Sequence, residues 1–299
     1  MQIHKPLWLL KLKFMIKKIY NNRFMNVFDD IDDNYVVLED VILFGPYGIP
    51  ITSNFKVIES SLGTSNFAKS RLKYTFKQYG LIKICYEYFR TRFFNKNYID
   101  ETMAYLIPRH GWPALPNYGH WLCENLPQIE IIRQWESEND HKLKLLLGPT
   151  STRSWLTTYL KFMDYSRSDV RNQDEVFIKV SKLVLPKLYF IHSFTFESNP
   201  VGRKWGGRKL LEKIKVNKNI TNKLLFISRQ NMHRRRFTNY DELYPILKKY
   251  NFNVVNPEDY TAEEQISIFS NAKIIAGATG AAFANMIFAK DATILYSWH

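Results

Sequence analysis

The stretch that decides the fold runs from Lys223 to Tyr296, KLLFISRQNMHRRRFTNYDELYPILKKYNFNVVNPEDYTAEEQISIFSNAKIIAGATGAAFANMIFAKDATILY. Short apolar runs alternate there with amphipathic runs of about ten residues. The pattern predicts strands at 223–228, 253–256, 273–277 and 292–296, helices at 240–250 and 262–272, and a further helix opening at Gly280. Strands separated by helices of that length imply βαβ crossovers. An α/β unit with a mostly parallel sheet, covered on both faces, follows. Asn239 with Glu242 and Thr261 with Glu264 have the N-cap and N3 spacing of a capping box, so both helix starts are expected to be closed that way.

Outward from this stretch the alternation continues more faintly. A helix-like segment NYGHWLCENLPQIEIIRQW begins at Asn117, followed by strand 144–147, helix 155–163 and strand 182–189. Tyr35–Phe44 (YVVLEDVILF) reads as strand, while Phe67 to Tyr88 is basic and aromatic without a clear period. Between Phe194 and Arg208, FTFESNPVGRKWGGR gathers Pro200, Gly202, Gly206 and Gly207, the punctuation of a connection. Two domains are expected, residues 1–205 and 206–299.

Composition narrows the function classes. With 299 residues, 45% hydrophobic and 23% charged, the chain is globular, and disordered or fibrous readings are excluded. Its 42 basic and 28 acidic side chains give a net charge of +14, which attracts phosphorylated substrates, anionic lipid or nucleic acid. Only two cysteines occur, so no disulfide framework is expected and a reducing cytoplasm is the simpler compartment. The segment Trp8 to Lys18 is basic and aromatic, too short to span a bilayer and suited to lying on an anionic one, or to packing as an ordinary amphipathic helix.

Several constellations can carry chemistry. The small residues after KIIAG let the chain turn tightly, and the amides of Thr279, Gly280 and Ala281 can cradle a diphosphate at a helix start. A dinucleotide fingerprint needs three spaced glycines and a later acidic residue, which do not occur before His299, so NAD is not expected. Upstream, the strand ending in Ser228 and Arg229 delivers both to its carboxyl edge, where ligands of open α/β sheets bind, and the following loop supplies Arg234, Arg235 and Arg236. His120 and Glu124 are four apart, an imidazole and a carboxylate on one helical face; Pro127 should kink that helix beside them. Asp29 to Asp33 (DDIDD) reads as an acidic loop, and His192, His233 and His299 have no partner at metal-ligand spacing, so no metal site is expected.

In order, NYGHWLCENLPQI, ISRQNMHRRRFTN, VNPEDYTAEEQISIF and AGATGAAFANMIF resemble glycosyltransferase family 61, a group that includes capsular polysaccharide enzymes. The resemblance implies a GT-B-like α/β fold, two Rossmann-like domains facing a cleft, with the C-terminal one holding a nucleotide sugar. It implies inversion at the anomeric carbon, no metal or other cofactor, and a nucleoside-diphosphate sugar as donor substrate, UDP being the expected nucleotide. The matching residues are His120, Trp121, Glu124 and Pro127, then Ser228, Arg229, Arg235, Arg236 and Asn239, then Glu258 and Gln265, and finally Gly277, Gly280, Ala281 and Asn285. Thr279 stands where the family often has histidine, and relatives usually continue beyond the last strand. The implied roles are catalytic base for Glu124, with His120 as the second candidate, and donor binding for Ser228, Arg229, Arg235, Arg236, Asn239, Glu258, Gln265, Thr279, Gly280, Ala281 and Asn285. The partners are the nucleotide sugar, a glycan acceptor that can be lipid-linked, and an anionic membrane surface on the cytoplasmic side. The competing classes are a basic nucleic-acid-binding protein, for which no recognised motif is present, and a GT-B scaffold that has lost catalysis.

Overall fold

The structure, a computed structural model, describes residues 24–25, 34–52, 56–58, 65–106, 111–112, 115–148, 153–187, 200–214, 223–233, 235–289 and 294–298. The acidic run 29–33, the segment 8–18, Arg234, His192 and His299 lie outside the described residues. The chain forms two compact units. The first takes Met1–Pro116, Ile131–Ser151 and Arg167–His192; the second takes Asn117–Glu130, Thr152–Ser166 and Ser193–His299. The expected boundary between Trp205 and Gly206 falls inside a helix of the second unit, Pro200–Lys213.

The first unit contains β1 (Phe24–Met25), β2 (Tyr35–Phe44), β3 (Ile49–Ile51), β4 (Val57–Ile58), β5 (Tyr98–Tyr105), the small hairpin β6 (Gly111–Trp112) and β7 (Leu115–Pro116), β8 (Lys144–Leu147), β9 (Val170–Asn172) and β10 (Phe177–Pro186). Eight of these make one sheet in the order β1-β4-β3-β2-β10-β5-β8-β9. From β10 to β9 the pairings are parallel, but β2 runs antiparallel to β10 and β3 antiparallel to β2. The sheet is therefore mixed, unlike the parallel sheet of a Rossmann-like domain. Alternation along β2 and β10 sorts the side chains by face. Ile42, Phe44 and Phe177 join one core cluster with Leu72, Ile84 and Tyr88, whereas Val41, Leu43, Ile178 and Val180 join the other. Phe44 sits opposite Phe177 in register, and their rings stack at 4.7 Å.

The segment without a readable period, from Phe67 to Tyr88, proves to be helical: Ser65–Tyr79 and Leu81–Phe94, separated by Gly80 at φ 72°. Its period was hidden because apolar residues lie on both faces of the second helix. The strand expected at 182–189 is the longer β10, displaced toward the N-terminus.

The second unit has the alternation read from 223–296. Strands β11 (Leu224–Ile227), β12 (Asn253–Val255), β13 (Ile274–Ala278) and β14 (Ile294–Trp298) form an all-parallel sheet in the order β12-β11-β13-β14. Helices Tyr240–Lys249 and Ala262–Ser270 make the first two crossovers, and Ala281–Phe288 makes the third as a 3-10 helix rather than the α-helix expected from Gly280. The Phe283 amide donates to the Gly280 carbonyl and the Ala289 amide to the Met286 carbonyl, each at 3.0 Å and three residues back, the spacing of that tighter helix.

Three local expectations meet different outcomes. Thr261 and Glu264 form a full capping box. Asn239 makes no side-chain cap, because its ψ of 37° departs from the extended geometry that Thr261 adopts at 165°. Gly206 and Gly207, read as turn residues, sit inside the helix Pro200–Lys213. A Cβ there would lie 2.9 Å from Leu126 Cδ2 and 2.3 Å from the Ile287 carbonyl oxygen, so they serve close packing and not chain reversal.

Candidate functional site

In the second unit the chain leaves β11 toward β12 on one side, and after β13 moves to β14 on the other. The two middle strands thus flank a topological switch point, and the crevice outside their carboxyl ends is where such sheets bind ligands. Ile227 pairs with Gly277, so Ser228 and Arg229 leave one strand end beside Thr279, Gly280 and Ala281 leaving the other. A Cβ on Gly280 would stand 2.0 Å from Arg229 Nη1, so the guanidinium lies directly over this glycine. Arg235 donates from Nη1 to the Thr279 carbonyl at 2.8 Å, tying the arginine loop to the same turn. Gln230 Nε2 donates to the Phe237 carbonyl at 3.1 Å and closes the loop on itself.

The electrostatics of this edge favour an anion. Burial lowers the pKa of the Arg229 guanidinium, the neighbouring Arg235 charge lowers it further, and Glu258 opposes both. A partly buried cation beside an exposed one is repelled by it, and an anion bound near both relieves that cost. Glu258 follows β12 in the short 3-10 turn Pro257–Asp259. Arg236 is exposed on the loop, and Asn239 is exposed at the start of the helix Tyr240–Lys249. Ser228 is buried, its Oγ accepting from the Gln230 amide at 3.3 Å and sharing a hydrogen bond with Tyr240.

The imidazole and carboxylate pair also belongs to this unit. Asn117 caps the turn Tyr118–His120 by accepting from the His120 amide at 3.2 Å. A π-helical turn, Trp121–Asn125, then leads into the helix Leu126–Asn139. The expected kink at Pro127 takes this form: proline cannot donate to the Cys123 carbonyl and crowds it, and the wider turn accommodates the lost bond. His120 Nδ1 lies 2.8 Å from Glu124 Oε1, with side-chain exposures of 27% and 6%. A Cβ on Gly119 would lie 2.9 Å from Ala281 Cα, so this turn rests directly on the backbone beside Gly280.

A relay of buried polar groups locks that contact. Tyr118 donates to Asn285 Oδ1, leaving its own oxygen to accept from Tyr159 at 2.8 Å. Asn285 Nδ2 donates to Gln265 Oε1 at 2.9 Å, and Gln265 Nε2 donates to the Tyr260 carbonyl at 3.1 Å. Burial pushes the Tyr118 phenol well above its usual range, and Tyr159 likewise, so both remain neutral donors at any ordinary pH. Trp121 stacks on Tyr159 with ring centroids 5.7 Å apart, and Tyr159 stacks on Phe288 at 6.3 Å.

Of the residues picked from sequence, the structure gathers His120, Glu124, Ser228, Arg229, Arg235, Glu258, Thr279, Gly280 and Ala281 around the switch point. Gln265 and Asn285 are buried and bonded to each other within the relay. Asn239 is exposed and makes no side-chain cap at the helix it precedes. Sequence reasoning missed Tyr118, Tyr159 and Gly119. Asn117 before a helical run was a readable cap signal; the partner of Tyr118, 167 positions away, was not. Among the described residues no group of three or more His, Cys, Asp or Glu side chains is placed to hold a metal ion.

A family model, Glycosyltransferase 61, matches residues 118–296, more than half the chain. A search of curated proteins finds no match.

Proposed function

The chain belongs to glycosyltransferase family 61, a family of sugar-transferring enzymes, and from that premise we propose that it is an inverting, metal-independent transferase using a nucleoside-diphosphate sugar. The acceptor is a glycan of a surface polysaccharide such as capsule, carried on a lipid at the cytoplasmic face of the membrane. UDP is the nucleotide we expect. The observation that carries the reading is the convergence of four separated segments at the switch point of the parallel sheet.

In the proposed reaction, His120 accepts the acceptor hydroxyl proton through Nε2. Its Nδ1 is oriented by the buried Glu124, which also stabilises the imidazolium that forms. The side chain of His120 is more exposed than that of Glu124, 27% against 6%, which supports placing the imidazole, the second candidate from sequence, in the role of base. The acceptor oxygen forms its bond to the anomeric carbon as the bond to the diphosphate oxygen breaks, and the nucleoside diphosphate leaves with that electron pair. Arg229 and Arg236, with the amides at Thr279 to Ala281, receive the departing charge; Arg235 also holds the turn. Gln265 and Asn285 act by positioning, and Glu258 and Asn239 stand at the edge where the nucleoside is held. A GT-B arrangement, with the first unit on the acceptor side and the second gripping the donor, is the larger frame we propose in place of a division at 205 and 206.

A thermal-shift panel of UDP, GDP, CMP and NAD, with and without chelator, tests the reading. Ligand at a hundred times its dissociation constant adds about 2.7 kcal/mol, several degrees in a chain of this size. We expect a chelator-insensitive shift from UDP that disappears in Arg229→Ala. No shift from any nucleotide would sink the proposal in favour of a scaffold without catalysis.

A further inference from the structure

The helix Leu81–Phe94 is apolar on two opposite sides. Ile84, Cys85, Tyr88 and Thr91 are buried, and Ile84 and Tyr88 join the core with Phe44 and Phe177. At about 3.6 residues per turn, Ile82, Tyr86, Phe89 and Phe93 fall on the side facing away. They are exposed, Ile82 by 78% and Phe93 by 66%. The patch is continuous: the Phe89 ring lies 5.0 Å from Phe93 and 5.6 Å from Phe94. It runs into an open groove of about 620 Å³ lined by Tyr79, Gly80, Leu81, Ile82, Lys83 and Tyr86. Single exposed apolar residues need no explanation, but a contiguous aromatic stripe marks a surface that meets something.

Charge says what it meets. From Ser65 to Lys96 there are eight Lys and Arg side chains and one acid, Glu87, so this stretch carries half of the net +14. Glu87 is itself paired with Lys96 at 2.7 Å. The Arg90 guanidinium lies over the Tyr86 ring at 5.4 Å, and the Lys83 ammonium over Tyr79 at 5.5 Å, so cations border the stripe. A second copy of the chain would set this positive field against itself. A nucleic acid would satisfy the cations but leave Ile82 and Phe93 in water. An anionic leaflet satisfies both, because apolar side chains enter the acyl boundary while basic groups stay at the headgroups.

We propose that the outward face of the helix Leu81–Phe94 docks the protein on an anionic membrane, seating Ile82, Phe89 and Phe93 below the headgroups, with Lys83 and Arg90 on lipid phosphates. The proposal deepens the lipid-linked acceptor reading and rests on it for its biological purpose, but its test needs no sugar transfer. The full chain is sedimented with vesicles of phosphatidylcholine alone and of phosphatidylcholine with phosphatidylglycerol. Two variants accompany it, Phe89→Ser with Phe93→Ser, and Lys83→Glu with Arg90→Glu, all four positions lying outside the candidate site.

The expected result is binding to the anionic vesicles only, with a partition coefficient about tenfold lower in each variant. Melting midpoints and any UDP-induced shift should match the parent chain, showing that the fold and the nucleotide site are intact. The proposal is overturned if the parent chain ignores anionic vesicles, if both variants bind as it does, or if a single-stranded oligonucleotide binds and the vesicles do not. It is equally overturned if the parent is a dimer that Phe89→Ser with Phe93→Ser makes monomeric. A missing UDP shift alongside intact vesicle binding would count against the transferase reading alone.

Discussion

Strands β2 and β10 of the first unit bring Val41, Leu43, Ile178 and Val180 to one face and Ile42, Phe44 and Phe177 to the other, so this part of the sheet is apolar on both faces. In the second unit, β11 and β13 are as apolar within the sheet but open at their carboxyl ends onto buried Ser228 and Thr279. Gln265 and Asn285 are buried in the elements packed around them. Apolar burial holds both sheets together; the second also gathers the buried polar groups Ser228, Thr279, Gln265 and Asn285 around its carboxyl edge, where each needs a partner that fixes its orientation. Loss of bulk is therefore costly in the β2 and β10 core, whereas at the strand ends of the second unit the orientation of single polar groups matters as well.

That contrast can be broken by experiment. The largest expected effect is at the strand ends: Arg229→Ala should lower kcat at least tenfold, toward the roughly 100- to 1,000-fold seen when one preorganised donor is lost, with an unchanged melting curve. Equal turnover in initial-rate assays would remove Arg229 from the mechanism. Leu43→Ala should do the opposite, costing about 2–5 kcal/mol in urea denaturation while the molecules that stay folded keep their kcat.

Asn285→Ala should fall between them. It leaves Tyr118 and Gln265 without their partner, at about 1–3 kcal/mol for an unsatisfied buried group, and loosens the turn carrying His120. Stability and kcat should fall together; a loss of stability alone would reduce the relay to packing.

The smallest effect concerns Glu130, whose carboxyl burial raises above the usual range. A raised carboxylate pKa means the folded state favours the proton, so the stability tied to it is present at low pH and lost as pH rises through that pKa. Glu130→Gln should therefore raise the melting midpoint slightly at neutral pH, with the gain vanishing below about pH 4.

Much of the second unit was legible because its signals are local. Apolar runs such as LLFI and IIAGA, spaced by amphipathic helices, define a parallel sheet without knowledge of distant partners. The joint role of Arg229 and Gly280 came from the family resemblance; their convergence depends on the strand order, which places β11 beside β13 and which the alternation alone does not give. What stayed hidden depends on distance or on surroundings. Gly206 and Gly207 look like loop residues until Leu126 and Ile287 are seen against them. Asn239 and Thr261 carry the same capping letters, yet only the backbone angle separates the box that forms from the one that does not. The mixed sheet of the first unit escaped because β2 and β10 pair across more than 130 positions, beyond any local periodicity.

The π turn at Trp121–Asn125 has one further effect. An extra residue in a helical turn advances the phase of everything after it by about 100°, as a crank offsets the two ends of one shaft. Residues up to Glu130 belong to the second unit and those from Ile131 to the first. Within the second unit the turn therefore rotates Leu126 and the residues after it relative to the Tyr118–His120 turn that precedes it.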